Sequence, residues 1–240
     1  MQPTTSPPMP PATAADETIE IKGETLRLLP EHAAYWPAER TLFIGDLHWG
    51  KAATFRQAGI AVPDTEVDAD LGRISRMLDR TGAARLVVLG DLLHSRRGRD
   101  AQTFAAVTAW RETHSGIELT LVEGNHDRGA GRPPREWGFE VVAPGAQHGP
   151  FVLQHYPDPH DDGYVLAGHL HPKVKLRGAG GQEAKLPCFW FGQRVAVLPA
   201  FGSLIDGAPV KPRPRDAVFV IADDEVIDVS VRNEVTGVPA

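Results

Sequence analysis

The sequence contains a single cysteine, Cys188, among 240 residues. This excludes an intrachain disulfide, and such cysteine usage fits a reducing compartment such as the cytoplasm. The chain also lacks the run of about 18 apolar residues that a membrane span needs, so we expect no membrane association. An excess of positive charge is missing too: the net charge is -6, whereas a domain that binds nucleic acid over its whole surface is usually basic. A local basic patch remains compatible with this total.

Residues 1–17 are rich in Pro, Ala and Thr and have neither the basic nor the apolar region of a signal peptide. We therefore predict a disordered leader there. The remaining residues, 18–240, are enough for one globular domain, and a hydrophobic content of 42% with 23% charged residues is ordinary for a protein with a core. We predict a single domain and a cytoplasmic protein.

Short runs of β-branched and apolar residues, each followed by a polar turn, predict buried β-strands. The runs are 41–45, 85–90, 118–122, 151–154, 164–167, 195–198 and 217–222. Residues 65–80 and 100–114 carry apolar residues at helical spacing and predict two helices. Helical spacing fades after about residue 139. The pattern predicts an α/β fold with a β-α-β-α-β first half and a mostly β second half, packed as two sheets with helices outside.

Side chains that can bind metals follow five of these runs, at the point where each strand ends. They belong to the segments D-L-H, G-D-L-L-H, G-N-H-D, a single histidine and G-H-L-H, namely Asp46, His48, Asp91, His94, Asn125, His126, His155, His169 and His171. Each of the first three segments alone has a simpler interpretation as a helix cap or a polar turn, and His155 alone could be a partly buried histidine whose hydrogen bonds are satisfied. In open α/β sheets, however, ligands bind at the carboxyl ends of the strands, where all five segments converge. Together they predict a metal site with N and O ligands.

Local geometry supports sharing of ions within these segments. Residues two apart on an extended segment project to the same side, so Asp46 and His48 can bind one ion. Gly168 is predicted to let the backbone turn tightly before the last two histidines. The histidines outside the five segments are interpreted as ordinary surface or loop residues: His32, His114, His148 and His160.

The order D-x-H, G-D-x-x-H, G-N-H-D, H, G-H-x-H resembles the calcineurin-like metallophosphoesterase superfamily, with every signature position filled. The resemblance implies a sandwich of two mixed β-sheets flanked by α-helices, with a site built from loops at the sheet edges. It also implies the ligands: one ion bound by Asp46, His48 and His171, a second bound by Asn125, His155 and His169, and Asp91 bridging the two.

The chemistry of such a centre follows from its ligands. Two ions about 3.5–4 Å apart activate water and hold phosphoryl oxygens for in-line attack. Mixed histidine and carboxylate ligands suit Mn, Fe or Zn better than Mg or Ca, and we expect Mn²⁺ to support activity. His126 resembles the superfamily's non-ligand histidine, which stabilises the transition state or protonates the leaving oxygen.

His94 occupies a position at which phosphoprotein phosphatases have an Asp, and a His there resembles the Mre-type nucleases and their bacterial relatives. His94 is therefore predicted to contact the scissile phosphate or to pair with His126. A structural role beside the metal ligands is the alternative.

Further segments are similar to the ligase-associated DNA damage response endonucleases, the PdeM family. They include DLHWGK at 46–51, LPCFW at 186–190 and LPAFGS at 198–203. This resemblance implies a phosphodiesterase and DNA endonuclease that acts in repair on single-stranded or flapped ends. It also implies an ATP-dependent DNA ligase, an Lhr-type helicase and an exonuclease as partners. One departure is Asp206, which adds a negative charge to the expected rim.

Basic residues follow the ligand segments and predict contacts with flanking phosphates that weaken as salt rises. The candidates for substrate binding are Arg96, Arg97 and Arg128. Trp49 and Phe55 are candidates for stacking on unpaired bases. For each residue alone, a solvated charge or core packing is at least as good an interpretation.

Two other functions stay open. The same site is compatible with a small-molecule phosphodiesterase or a nucleotide pyrophosphohydrolase, although we find no apolar helical insertion of the kind that lipid-precursor hydrolases carry. A non-catalytic scaffold with this fold is less compatible, because the ligand set is complete.

Overall fold

The computed structural model describes residues 15–63, 65–177 and 181–230. Most of the predicted leader, residues 1–14, lies outside the described residues. Glu17, the last residue of that leader, already belongs to the first strand. The described residues form two β-sheets and four α-helices.

The first sheet has seven strands that lie side by side in chain order. They are β1 (Glu17–Ile21), β2 (Glu24–Leu29), β3 (Ala33–Trp36), β4 (Thr41–Ile44), β5 (Arg85–Val88), β6 (Glu118–Val122) and β7 (Phe139–Val142). Pairing is antiparallel from β1 to β4 and parallel from β4 to β7. The carboxyl ends of β4, β5 and β6 therefore meet at one edge of the sheet.

The second sheet has nine strands, which are β8 (Ala146–His148), β9 (Phe151–Leu153), β10 (Tyr164–Ala167), β11 (Pro172–Arg177), β12 (Glu183–Phe191), β13 (Val195–Val197), β14 (Ala208–Pro209), β15 (Ala217–Ala222) and β16 (Glu225–Asp228). Its order is β14-β11-β12-β13-β10-β9-β8, with β15 and β16 attached through β12. β9, β10 and β13 are parallel neighbours. Their carboxyl ends also meet at one edge.

The helices are α1 (Lys51–Gln57), α2 (Glu66–Thr81), α3 (Ala101–Thr113) and α4 (Asn125–Ala130). Asp100 caps α3 by accepting hydrogen bonds from the N–H groups of Gln102 and Thr103. Apolar residues of α2, among them Leu71 and Ile74, pack on one face of the first sheet. Within the described residues, no helix is long and apolar enough to cross a membrane.

The structure confirms the two mixed sheets flanked by helices, the seven predicted strands and the helices near 65–80 and 100–114. The antiparallel strands β1–β3 and the short helix α1 were not predicted. One core lies between the first sheet and the helices, and a second lies between the two sheets. The outer face of the second sheet carries two smaller apolar clusters, to which none of the four described helices contributes.

Candidate metal centre

The loops that leave β4, β5 and β10 converge on one region, and their backbone there is unusual. The φ angle is positive at Asp46 (57°), His48 (50°), Asp91 (54°), His169 (70°) and His171 (46°). Asp and His tolerate this left-handed conformation better than most residues, but each instance costs about 1–3 kcal/mol. Hydrogen bonds between the loops hold it, including one from the His48 N–H to the Asp91 carbonyl at 2.8 Å.

The D-x-H segment was predicted to be extended, and the structure shows that this prediction is wrong. Asp46 and His48 do not lie on an extended segment, because both have left-handed φ angles. Their side chains still meet, since the turned backbone brings both toward His171. The strained loop, rather than the alternation of a strand, brings them together.

The first group of possible ligands contains Asp46, His48 and His171, whose ligand atoms lie within 4.8 Å of one another. The Nε2 atom of His171 lies 3.3 Å from Oδ1 of Asp46. Both atoms are buried and, within the described residues, neither has a hydrogen-bond partner. Two buried atoms that point their lone pairs at each other are energetically unfavourable unless a cation binds between them.

The second group contains Asp91, His155 and His169, and Asn125 lies beside it. Nε2 of His155 lies 2.9 Å from Oδ1 of Asn125 and 3.4 Å from Oδ2 of Asp91. Nδ1 of His169 lies 3.1 Å from the same His155 nitrogen. Ligand atoms about 2.1 Å from one ion lie about 3.0–3.4 Å apart at right-angle or tetrahedral geometry. These spacings therefore suit a shared ion.

Backbone carbonyls set the tautomer of two histidines. Nδ1 of His155 donates to the Leu89 carbonyl at 3.0 Å, and Nδ1 of His171 donates to the Asp206 carbonyl at 3.1 Å. With the proton on Nδ1, the lone pair is on Nε2, the nitrogen that faces the carboxylates. This arrangement is typical of histidines that bind metals.

The charge of the centre also favours a cation. Burial lowers the pKa of His48 to about 3, so this imidazole is neutral near pH 7. Burial opposes the ionised form of Asp91, but the hydrogen bond and charge of His155 outweigh it and lower the pKa of this carboxyl. For His155, burial is likewise outweighed by Asp91, which raises the pKa of this histidine. The Asp91 carboxylate thus draws positive charge toward itself beside the neutral imidazole of His48, and a bound metal would supply that charge in place of the His155 proton.

Close approach of the loops requires glycine at three positions. A Cβ at Gly124 would lie 2.3 Å from Oδ1 of Asp91, one at Gly168 would lie 2.5 Å from Oδ2 of Asp46, and one at Gly90 would lie 2.2 Å from Nδ1 of His155. The backbone does turn tightly at Gly168, where the Leu170 N–H donates to the Gly168 carbonyl at 2.9 Å, although the φ angle of Gly168 itself is not positive. Its role is to leave room for the Asp46 carboxylate.

Asp127, the last residue of G-N-H-D, was not predicted to have a role. Its buried carboxylate accepts hydrogen bonds from the N–H groups of Asp91 (2.8 Å), Leu93 (3.2 Å) and Gly124 (3.0 Å). It thereby joins the loop after β5 to the loop after β6. In the sequence, Asp127 is marked only as the fourth residue of the G-N-H-D motif. Its partner Asp91 lies 36 residues earlier in the chain, so the spacing of residues could not predict their hydrogen bond.

Comparison with known proteins decides the family. No family model matches the chain, and no curated protein matches it. Among solved structures, the nuclease MPE of Pseudomonas putida is 38% identical and superposes with a TM-score of 0.78 over 89% of this chain and 100% of its own. The chain belongs to the metallophosphoesterase family of that nuclease. It is therefore a metal-dependent phosphoesterase. The E. coli phosphoesterase YfcE is a far more distant match, 16% identical with a TM-score of 0.39 over 80% of this chain and 98% of its own.

In this metallophosphoesterase the two predicted catalytic histidines are neighbours. Nδ1 of His126 donates to the His94 carbonyl at 2.7 Å, and the two rings stack with centroids 5.1 Å apart. Nδ1 of His94 lies 3.4 Å from Nδ1 of His48, and these three histidines form a third group of possible ligands. The contact between His94 and His126 is therefore a backbone hydrogen bond and a ring stack.

The arginines selected from the sequence are exposed; two follow β5, and Arg128 lies on α4. Arg96 donates to the Gly129 carbonyl at 3.2 Å, and Arg128 lies 3.4 Å from Glu123. Arg97 is exposed next to Arg96.

Three other sequence interpretations change in this metallophosphoesterase. Trp49 is only 2% exposed and packs in the core, so it offers no stacking surface, whereas Phe55 is half-buried. His32 lies in the turn between β2 and β3, which fits a loop residue, but it is half-buried and donates to the Ala200 carbonyl at 2.7 Å. The Asp206 carboxylate forms an ion pair with Lys173 at 2.6 Å, which offsets its charge at the rim.

Proposed function

We propose that this metallophosphoesterase is a DNA endonuclease that hydrolyses phosphodiester bonds in single-stranded or flapped DNA with Mn²⁺. The observation that carries the proposal is the position of His126, an imidazole with a fixed tautomer beside both ligand groups. The similarity to a protein named as a nuclease supports the choice of substrate.

The ligand assignment within this proposal follows the two groups. Asp46, His48 and His171 hold one ion, Asn125, His155 and His169 hold the other, and Asp91 lies between them. Ions bound there would supply Lewis acidity and an activated water. The strained loops and the carboxylate of Asp127 hold these side chains in place, so little reorganisation accompanies the reaction.

His126 is proposed to stabilise the transferring phosphoryl group or to protonate the leaving oxygen. Its backbone N–H donates to Oδ1 of Asp91 at 2.9 Å, which fixes the residue against the centre. Its Nδ1–H is occupied by the His94 carbonyl, so Nε2 is the nitrogen available to a substrate oxygen. His94 positions this imidazole through its carbonyl and its stacked ring.

Exposed cations complete the proposed site. Arg96, Arg97 and Arg128 follow the ligand loops and can hold phosphates on either side of the scissile bond. Such contacts make binding weaker as salt rises. We further propose a role in DNA repair in the cytoplasm, alongside an ATP-dependent DNA ligase, an Lhr-type helicase and an exonuclease, as the family resemblance implies.

The test compares three substrates with and without Mn²⁺: circular single-stranded DNA, bis(p-nitrophenyl) phosphate and p-nitrophenyl phosphate. We expect metal-dependent cleavage of the DNA and the diester. Turnover of the monoester alone would rule out the nuclease, and turnover of the diester without DNA would favour a small-molecule phosphodiesterase.

His126→Ala tests the catalytic assignment. We expect it to keep its bound metal and to lose about 10²–10⁴-fold in DNA cleavage, the usual contribution of a positioned general acid or base. His114→Ala is the matched control, because this half-buried histidine stacks on Trp110 at the end of α3 and should leave cleavage unchanged. Native rates in His126→Ala would remove it from the mechanism.

A further inference from the structure

A groove on the outer face of the second sheet adjoins the metal centre. Its volume is about 450 Å³, within the usual range for a ligand site. One wall comes from the metal-ligand loops, with Pro157 two residues after His155 and with Leu170 between the last two histidines. Two of the loops that carry metal ligands therefore form part of the groove wall.

Apolar residues line much of this groove. Trp190 projects outward from β12 and is half-buried, and Pro157 and Pro159 contribute further apolar surface. Leu170 is 37% exposed, and Tyr156, which precedes Pro157, is 41% exposed and packs on the His169 ring with centroids 4.3 Å apart. Exposed apolar surface of this kind beside a catalytic centre marks a binding site.

The polar side chains that line the groove are two arginines, the amide of Gln193 and a carboxylate that already accepts hydrogen bonds. Asp216 is buried, and its Oδ2 accepts hydrogen bonds from Nε1 of Trp190 at 2.8 Å and from the Arg213 N–H at 2.7 Å. The carboxylate therefore fixes the indole and the loop. Arg194 lies at the edge with its guanidinium 3.0 Å from Asp161. Arg213 is exposed, and the described residues show no ion pair for its side chain.

We propose that this groove binds the unpaired nucleotides of a single-stranded nucleic acid next to the scissile phosphate. A fixed indole with prolines offers a surface on which a base can stack, and Arg213 offers positive charge to a phosphate. The inference rests on the proposed function and deepens it, because it states where the flanking part of the substrate lies.

The test uses Trp190→Leu and Arg213→Gln, with Arg215→Gln as the matched control. Arg215 is exposed in the same loop but does not line the groove. Binding of a fluorescein-labelled single-stranded oligonucleotide is measured by anisotropy with Mn²⁺ in a His126→Ala background, so that the strand stays intact. Turnover of bis(p-nitrophenyl) phosphate is measured for each variant with His126 present.

We expect single-strand binding to weaken about five- to tenfold in Trp190→Leu, the loss of one stacked base. Arg213→Gln should reduce the slope of log Kd against log salt by about 0.7, the loss of one phosphate contact. Arg215→Gln should bind the single strand within twofold of the parent protein. Trp190→Leu should bind duplex DNA within twofold of the parent, and each variant should keep its diester turnover within the same limit. Single-strand binding that is unchanged in both groove variants would overturn the proposal, as would equal effects of Arg213→Gln and Arg215→Gln.

Two results separate this inference from the proposed function. If the parent protein cleaves DNA and the groove variants bind it normally, only the groove assignment fails. If the parent hydrolyses the diester without cleaving DNA, the nuclease proposal fails whatever the binding result. Loss of diester turnover in Trp190→Leu would indicate a structural defect, and Arg213→Gln then decides the assignment.

Discussion

Asp127 joins two of the loops that carry the metal ligands, and its removal is the most informative single perturbation of the centre. The carboxylate is 5% exposed and accepts three backbone N–H groups, one of them from Asp91. Asp127→Ala leaves all three donors buried without this partner. Because Asp91 lies between the two ligand groups, we expect the variant to lose both stability and metal affinity.

The magnitude follows from the bonds. A hydrogen bond to a charged group contributes about 1.5 kcal/mol or more, so three contribute roughly 5 kcal/mol. Burial raises the pKa of Asp127, which means that holding the charge inside the protein costs part of this gain. We expect a net loss of about 2–4 kcal/mol in the free energy of unfolding.

Asp100→Ala is the matched control. Asp100 also accepts two backbone N–H groups, at 3.1 and 3.0 Å, but it is half-buried at the start of α3. Its removal should cost about 1 kcal/mol, the usual value for an N-cap, and should leave metal binding unchanged. Urea unfolding in EDTA measures the stability, and elemental analysis after dialysis against Mn²⁺ measures bound metal. Equal destabilisation of the two variants, with two ions retained in Asp127→Ala, would refute the reasoning.

Three further predictions concern other parts of the molecule. Gly124→Ala should abolish tight Mn²⁺ binding, because its Cβ would lie 2.3 Å from the Asp91 carboxylate, whereas Gly116→Ala, with nothing within 4 Å, should bind Mn²⁺ normally in calorimetry. Burial lowers the pKa of His32 to about 4, below its usual value of about 6.5; between these values the unfolded chain binds a proton that the folded protein excludes. Stability should therefore fall as pH drops through this window, by at most about 1.4 kcal/mol per pH unit, and urea titrations should show a shallower fall in His32→Gln. Single replacements of Arg96, Arg97 or Arg128 by glutamine should lower DNA cleavage, most strongly at low salt, and leave turnover of bis(p-nitrophenyl) phosphate unchanged. An equal loss on both substrates would contradict a role in DNA binding for that arginine.

Secondary structure could be predicted best where the pattern of neighbouring residues determines it. The runs that form β4 to β6 are apolar on both faces, and the spacing of Leu71 and Ile74 predicts α2, so these elements could be predicted from neighbouring residues. Helix α1 has seven residues, too few for a helical pattern to stand out. The antiparallel strands β1–β3 have weaker local signals: β1 alternates exposed and half-buried residues, and β3 is a run of only four residues, two of them alanine, which strands seldom contain.

The ligand loops show the limit most clearly. Motif order was enough to name the side chains that converge, because every segment follows the carboxyl end of a parallel strand, β4 to β6 in the first sheet and β9 and β10 in the second. Motif order could not reveal the left-handed backbone at Asp46 and Asp91 or the hydrogen bonds that Asp127 accepts from two loops. Both features depend on contacts between loops that are far apart in the chain. Trp49 illustrates the same limit: an aromatic residue beside a ligand was interpreted as a stacking surface, yet it packs against Trp137 in the core.

The central claim is that two ions share one centre in which Asp91 lies between two sets of ligands. Anomalous diffraction from crystals grown with Mn²⁺ tests it most directly. We expect two peaks about 3.5–4 Å apart, the usual separation in two-metal sites. One should be bound by Asp46, His48 and His171, the other by Asn125, His155 and His169, and both by Asp91. A single peak, or an ion bound by His94 and His126, would contradict the account.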